Sequence, residues 1–438
     1  MRRPALALAA ALVAAAAVPA LAAGPKASLG FGPNTYAYSA SYGEPAVAVS
    51  PADGSLFVST PGDGGAVLAK STDDGGTWTK LPTVVPPGDS PGSATSGGDS
   101  EVAVAKDGTV FVGDLDLDGI TVSRSTDGGR TFPQQVFVTG TSDREWLAVD
   151  GPHGEDVYLV WHEIVTGTML AAVSHDRGAT FSAPTTIYSN PETLVQSAHN
   201  GTSIGQVSTD GKGGVFVTYG TTRLTTTDTT YGTPPISTVH ASVSLDRGAT
   251  WKDVTVNPGA DDANYGNFWM ASAVDAGGTV YAVYSGYAHE GQPMHVWLQA
   301  SHDRGATWTT PYAVDPGVGK AEGQDLFGWV AGGGPGVAVV AWYHTDAKDK
   351  DADGIDWSVP VAQVRGLGTT HVQQVTGLAN DHPSVHHGPI CTLGTFCGVL
   401  PGSSSDRSLL DFFKVTVDPT GRAAVVWSDN DRPGAVKT

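Results

Sequence analysis

Ser71-Thr72-Asp73-Asp74-Gly75-Gly76-Thr77-Trp78 returns four more times along this chain. The copies are Ser125-Thr126-Asp127-Gly128-Gly129-Arg130-Thr131-Phe132 and Ser174-His175-Asp176-Arg177-Gly178-Ala179-Thr180-Phe181, then Ser244-Leu245-Asp246-Arg247-Gly248-Ala249-Thr250-Trp251 and Ser301-His302-Asp303-Arg304-Gly305-Ala306-Thr307-Trp308. The shared pattern is Ser-x-Asp-x-Gly-x-Thr-aromatic, with starts 54, 49, 70 and 57 residues apart. Repetition at this spacing marks a propeller or a solenoid. Ser and Asp side chains bond nearby backbone N–H groups and hold tight turns. The glycine admits a positive φ, and the aromatic supplies an apolar anchor. Asp73, Asp127, Asp176, Asp246 and Asp303 are therefore read as structural.

Short strand-like runs surround each motif. In the third repeat they cover 145–150, 156–162 and 168–174 before the motif and 183–188 after it. Runs of Val, Tyr, Trp and Ala broken by Gly and Asp turns read as antiparallel strands. The unit is a four-stranded blade with the motif between its third and fourth strands. The pattern continues without a motif at 327–330, 337–343 and 357–364, and again at 411–417 and 423–427. The expected fold is all-β, a β-propeller of seven blades, with six as the alternative. Residues 435–437 and an N-terminal stretch at 26–31 are expected to complete the last blade, because closing the ring removes exposed sheet edges. Residues 24–438 then form one domain.

The motifs resemble the Asp-box, or bacterial neuraminidase repeat, of the sialidase superfamily, over residues 71–308. The resemblance implies a β-propeller whose boxes lie on the face away from the site. For a sialidase it implies three arginines clamping a substrate carboxylate, a tyrosine nucleophile with a carboxylate partner, and an aspartate as acid and base. The superfamily's first arginine lies in an Arg-Ile-Pro-like motif before the first inner strand. The corresponding place here reads Tyr42-Gly43-Glu44-Pro45, without an arginine. Non-catalytic propellers carry the same boxes.

Blade geometry sorts the loops, and the end opposite the motifs holds the longer, irregular ones. Arg144, Arg223 and Arg407 fall on that end, as do Asp99, Glu101, Asp143, Glu145, Glu163, Asp325 and Asp411. A pair of carboxylates at suitable spacing supports glycoside hydrolysis. Tyr219, Tyr284 and Tyr343 end second strands and are expected either in the core or facing the central funnel. The run Asp143-Arg144-Glu145-Trp146 is the densest polar and aromatic constellation. The candidate catalytic residues are Asp143, Glu145, Asp99 and Tyr219. Arg144, Arg223, Arg407 and Trp146 are the candidates for holding substrate.

Two acidic runs, Asp114/Asp116/Asp118-Gly119 and Asp349/Asp351/Asp353-Gly354, resemble calcium loops but lack a Glu at the twelfth position. A structural calcium at Asp349, Asp351 and Asp353 is one expectation, and a solvated turn is the other. No other cofactor is required. His382, His386 and His387 cluster near Asp381. His162-Glu163 lacks the second His of a zinc protease.

Residues 1–23 read as a secretory signal peptide: Arg2 and Arg3, an apolar run over 5–18, then Ala20-Leu21-Ala22. No later stretch is as hydrophobic, so no membrane anchor is expected. Cys391 and Cys397 are expected to form a disulfide in an exported protein, with a redox pair or metal ligands as alternatives. Without Arg2 and Arg3 the chain holds 22 basic and 44 acidic residues, a net charge of −22. Such a surface repels phosphate backbones and excludes nucleic acid as a partner. The expectation is a secreted monomer meeting an extracellular glycan or glycoprotein. It would act as an exo-glycosidase or, alternatively, as a non-catalytic propeller binding glycan or protein.

Overall fold

The computed structural model describes residues 28–437 except 39–42, 89–95, 117–118, 141, 164–165, 189–201, 223–234, 267–268, 316–322, 393–396, 399–403 and 432–434. The expected signal peptide, Asp118 and Arg223 lie outside the described residues.

Among the described residues the strands form seven four-stranded antiparallel sheets and one two-stranded sheet. Six sheets are each cut from one continuous stretch of chain. Their innermost strands are Ala46–Val49, Ser96–Val104, Ser142–Asp150, Thr202–Thr209, Ala271–Val274 and Gln324–Gly332. The seventh sheet has Lys414–Val417 innermost, then Ala423–Asp429, Ala435–Lys437 and, from the other end of the chain, Tyr36–Tyr38. Each innermost strand packs against the next, and Lys414–Val417 packs against Ala46–Val49, so the ring closes. We number these blades one to seven.

The closing strand differs from the expected one. Residues 28–31 run along blade six instead, where Leu29 N–H bonds the carbonyl of Thr376 at 3.4 Å. Tyr36–Tyr38 closes the ring, with Tyr38 buried and its hydroxyl bonding the carbonyl of Val58 at 2.6 Å. Joining two ends of the chain in one sheet pairs edges that would otherwise stay open.

The repeated turn has one geometry in all five copies. In the third, Ser174 Oγ bonds Asp176 Oδ1 at 2.7 Å and accepts from Gly178 N–H at 2.8 Å. Asp176 also accepts from Thr180 N–H at 2.8 Å and Thr180 Oγ1 at 2.6 Å. Two consecutive residues take the left-handed conformation, Arg177 at φ 65° and Gly178 at φ 73°. The sequence foresaw only the glycine. The position before it holds Arg177, Arg247 or Arg304 in three copies, and these arginines reach back to the preceding blade. Arg247 Nε bonds Asp156 at 2.7 Å, Arg304 Nε bonds Asp210 at 2.8 Å, and Arg177 approaches Asp107 at 3.8 Å. Each surface pair contributes about 0–1 kcal/mol, so their value lies in repetition around the ring.

The second strands run through the blades and are buried along their length, as in Val215–Thr221 and Val280–Gly286. Side chains from facing blades fill the space between sheets, including fully buried Trp161, Trp342, Trp357 and Trp427. Cys391 and Cys397 are joined in a disulfide. Among the described residues no helix is long and apolar enough to cross a membrane.

Three hydrogen bonds to one exposed carboxylate give a direct test. The turn holds the carboxyls of Asp176 and Asp303 down at about 2, chiefly through the Thr180 and Thr307 hydroxyls. A depressed folded-state pKa contributes stability that is present above the unfolded value of about 4 and lost as pH falls towards 2. Asp176→Ala is expected to lower stability at pH 7 by about 1–2 kcal/mol, read by urea denaturation. The loss should shrink between pH 4 and pH 2.

Candidate functional site

Alternation along a strand sends neighbouring side chains to opposite faces. At the start of the third inner strand this rule is broken. Asp143 pairs with His162 and Glu145 with Trp161, so Arg144 is an extra, bulged residue. Its φ is 49°, a conformation costly for a non-glycine residue. Bulges of this kind re-aim side chains beside functional sites. The same backbone state occurs at Glu44 (φ 49°), Phe327 (φ 56°) and Leu410 (φ 54°), each within or just ahead of an inner strand. Left-handed non-glycine residues thus occur on both ends of the ring, at the repeated turns and where the inner strands begin.

The bulge buries Arg144. Its guanidinium carbon lies 3.6 Å from the ring centre of Trp146 and 4.0 Å from that of Phe412. Its nitrogens approach Asp99 at 3.9 Å, Glu101 at 3.9 Å and Glu145 at 3.7 Å. Trp146 in turn packs on Trp329 at 5.0 Å, Trp269 at 6.1 Å and Phe412 at 5.4 Å. The aromatic group closes the floor of the funnel. A fully buried lysine, Lys414, enters from blade seven; it is ion-paired to Glu101 and sits 4.9 Å from the Trp146 ring.

The carboxylates crowd one another and lose contact with water. Burial, with Asp99 adding to it, pushes the Asp143 carboxyl up to about 6, although the residue keeps an exposed surface at the funnel mouth. Burial pushes Glu145 up to about 8 against the pull of Arg144. Glu44 rises well above the usual range through burial and then Asp99, to which it is hydrogen-bonded. Asp411 is raised by burial against the opposing Arg407, which bonds it at 2.6 Å. Lys414 is driven down to about 8 by burial, with Glu101 opposing. Perturbed groups of this density mark candidate sites. Gly113 makes room for them: a Cβ there would lie 3.3 Å from Glu145 Cγ.

Asp99, Asp143, Arg144, Glu145 and Asp411 thus come together as expected from sequence, with Arg407 held at the edge by Asp411. Four expectations change, those for Trp146, Tyr219, Asp325 and Glu163. Trp146 is fully buried beneath Arg144, so it is a floor for the guanidinium and not a platform for a sugar ring. Tyr219 does not join the acids: its ring is buried within blade four, stacked on His240 at 5.1 Å, and its hydroxyl bonds Asp253 on the outermost strand at 2.8 Å. Tyr284 and Tyr343 are likewise core residues, bonded to Gln299 and to the Ser428 carbonyl. Asp325 lies apart, bonded to Trp342 and His344, and Glu163 caps its own loop at Thr166. Glu44, Phe412, Lys414 and Trp329 went unread. The available signal was a charged or aromatic residue at the start of an inner strand.

Asp349, Asp351 and Asp353 are exposed in a loop where Asp351 N–H bonds Asp349 and Lys350 bonds Asp351 at 2.6 Å. They do not form a group close enough to share one ion. His382 and His387 pair with separate aspartates, Asp429 and Asp356.

Two variants separate these forces. Arg144→Met removes the charge facing three carboxylates. It is expected to cost about 3–5 kcal/mol, the usual loss on breaking a buried pair, read by chemical denaturation at pH 7. Glu145 has a folded pKa above its unfolded value, so its contribution is present at low pH and lost as pH rises through about 8. Glu145→Gln is expected to flatten the decline in melting temperature between about pH 5 and pH 8.

No protein-family description and no curated protein sequence matches this chain. Solved structures do share its architecture. An ulvan lyase of polysaccharide lyase family 25, bound to -[GlcA(1-4)Rha3S]-, superposes with a TM-score of 0.52 at 12% identity, covering 92% of this chain and 97% of its own. The GH93 α-L-arabinofuranosidase of Fusarium graminearum with arabinobiose gives 0.48 at 11% identity, over 92% and 96%. The Hadza microbial sialidase Hz136 gives 0.45 at 13% identity, over 87% and 75%. At these identities the likeness is one of fold.

Proposed function

We propose that the protein is a secreted, glycan-directed propeller whose funnel hydrolyses a neutral glycosidic bond. The leader-like residues 1–23 and the disulfide support export, and the five repeated turns are read as Asp-boxes. The observation that carries the reading is the convergence of Asp143, exposed at the mouth and raised to about 6, with Asp99 and the buried Arg144. The ulvan lyase, whose fold this chain shares, was captured holding a polysaccharide fragment, which supports a glycan as the ligand class.

Asp143 fits the general acid. Protonated at mildly acidic pH, it gives its proton to the leaving glycosidic oxygen. Asp99, held by Arg144, fits the carboxylate that activates water or attacks the sugar. Glu145, buried, is a positioning residue that faces Arg144. Neutral sugars are favoured over sialyl or uronate groups because both described funnel arginines already face carboxylates: Arg144 three of them, Arg407 one. A substrate carboxylate would have to displace these, against a net charge of −20. Tyr219, the candidate nucleophile, does not stand beside the acids: its hydroxyl bonds Asp253.

A second reading, a non-catalytic glycan-binding propeller, rests on the sealed aromatic floor of Trp146, Trp329 and Phe412. A panel of fluorogenic glycosides, neutral and sialyl, decides between them. The expected result is turnover of a neutral substrate that falls as pH rises above about 6 and Asp143 loses its proton. Asp143→Asn should lower kcat by about 10²–10⁴-fold. Turnover of the sialyl substrate alone overturns the neutral-sugar reading, and no turnover by the folded protein leaves the binding reading.

A further inference from the structure

A second buried polar cluster lies between blades five and six, on the same end of the ring as the funnel. His295 opens the third strand of blade five, His295–Ser301, and Asp315 follows that blade's last strand, Tyr312–Ala313. Asp325 is the second residue of the inner strand of blade six, and His344 stands directly opposite it in the pairing. His295, Asp315 and Asp325 are all buried. One potential ligand atom from each lies within 4.8 Å of the others, an arrangement met nowhere else among the described residues.

The charge balance of this cluster is unusual. Two buried carboxylates side by side need compensating positive charge. Among the described residues no lysine or arginine forms an ion pair with either one. Asp315 faces His295 Nδ1 at 2.8 Å, and Asp325 faces His344 Nδ1 at 2.9 Å. The surroundings hold the carboxylates in place. Val296 N–H bonds Asp315 Oδ1 at 3.1 Å. Trp342 Nε1–H bonds Asp325 Oδ1 at 2.6 Å, and His344 meets the same oxygen, so neither uses Oδ2. Asp325 is thus oriented from behind by a ring nitrogen on each side. Outer-shell contacts of this kind commonly fix metal-ligating carboxylates.

We propose that His295, Asp315 and Asp325 form a divalent-cation site, with His344 and Trp342 orienting Asp325. One imidazole nitrogen and two carboxylate oxygens suit zinc; calcium prefers six to eight oxygens. Ligand atoms around a tetrahedral zinc stand roughly 3.4 Å apart for bonds of about 2.1 Å, so small side-chain rotations close the observed separations. The ion joins blade five to blade six. It also steadies the acidic loop that follows His344, because Asp346 lies 3.3 Å from His344 Nε2 and Gln324 beside Asp325 bonds the carbonyl of Lys348 at 2.6 Å.

The test is titration of the full chain, freed of metal by chelator, with Zn²⁺ alone in a calorimeter, alongside the rise in melting temperature. One zinc per chain is expected. His295→Gln and Asp315→Asn should each weaken its binding by at least about 100-fold, with the fold checked by circular dichroism. His387→Ala, which alters a histidine paired elsewhere with Asp356, should bind as the parent does. Zinc-edge X-ray absorption on the unmutated protein should show one imidazole with the remaining neighbours oxygen, a readout that survives if a variant fails to fold. The proposal is overturned by an absence of binding, by unchanged affinity in the two folded site variants, by loss of binding in His387→Ala, or by an all-oxygen shell. None of these outcomes depends on the glycan reading.

Discussion

One buried guanidinium organises the upper end of this propeller. Arg144 lies on Trp146 and Phe412 and faces carboxylates from blades two and three. A charge out of water must be compensated, and here acids that cannot all ionise together share the task. Burial, with their mutual crowding adding to it, raises Asp143 and Glu145 towards neutrality. Lys414 completes the arrangement from blade seven, so side chains of blades two, three and seven meet at one electrostatic centre. Remove Arg144 and the reason for burying these acids disappears.

The two ends of the ring use opposite physics. On the lower end each repeated turn satisfies its own backbone through Ser, Asp and Thr, and its carboxylates are held ionised by hydrogen bonds. These turns face solvent and link blades through modest ion pairs such as Arg247 to Asp156. On the upper end burial shifts Glu44, Asp143, Glu145 and Asp411 upward. Hydrogen-bonded, ionised carboxylates lie below and buried ones above, a division that a ring of hairpins allows because alternate loops emerge at opposite ends.

The fold was legible because its signal is local and repeated. Five copies of an eight-residue turn, each flanked by strand-like runs, specify the blades almost independently of one another. The placement of the closing strand was less legible. Residues 26–31 and 36–38 are both short and apolar, and only contact with blade one chooses the second, through Tyr38 and Val58. The disulfide followed from composition and from the short spacing of Cys391 and Cys397.

The site was legible as a list and illegible as an arrangement. By itself the sequence determined an all-β propeller, its repeated turns, and which end would gather Asp99, Asp143, Arg144, Glu145 and Asp411. It could not determine that a bulge would turn Arg144 inward beside both neighbours, since strict alternation predicts the opposite face. Nor could it show that Trp146 would be sealed, that Tyr219 would bond Asp253 within its own blade, or that His295 would meet Asp325 across a blade boundary. These facts depend on register shifts and on contacts between residues far apart in the chain. Only the closed ring fixes both, because only there does each inner strand acquire its two neighbours.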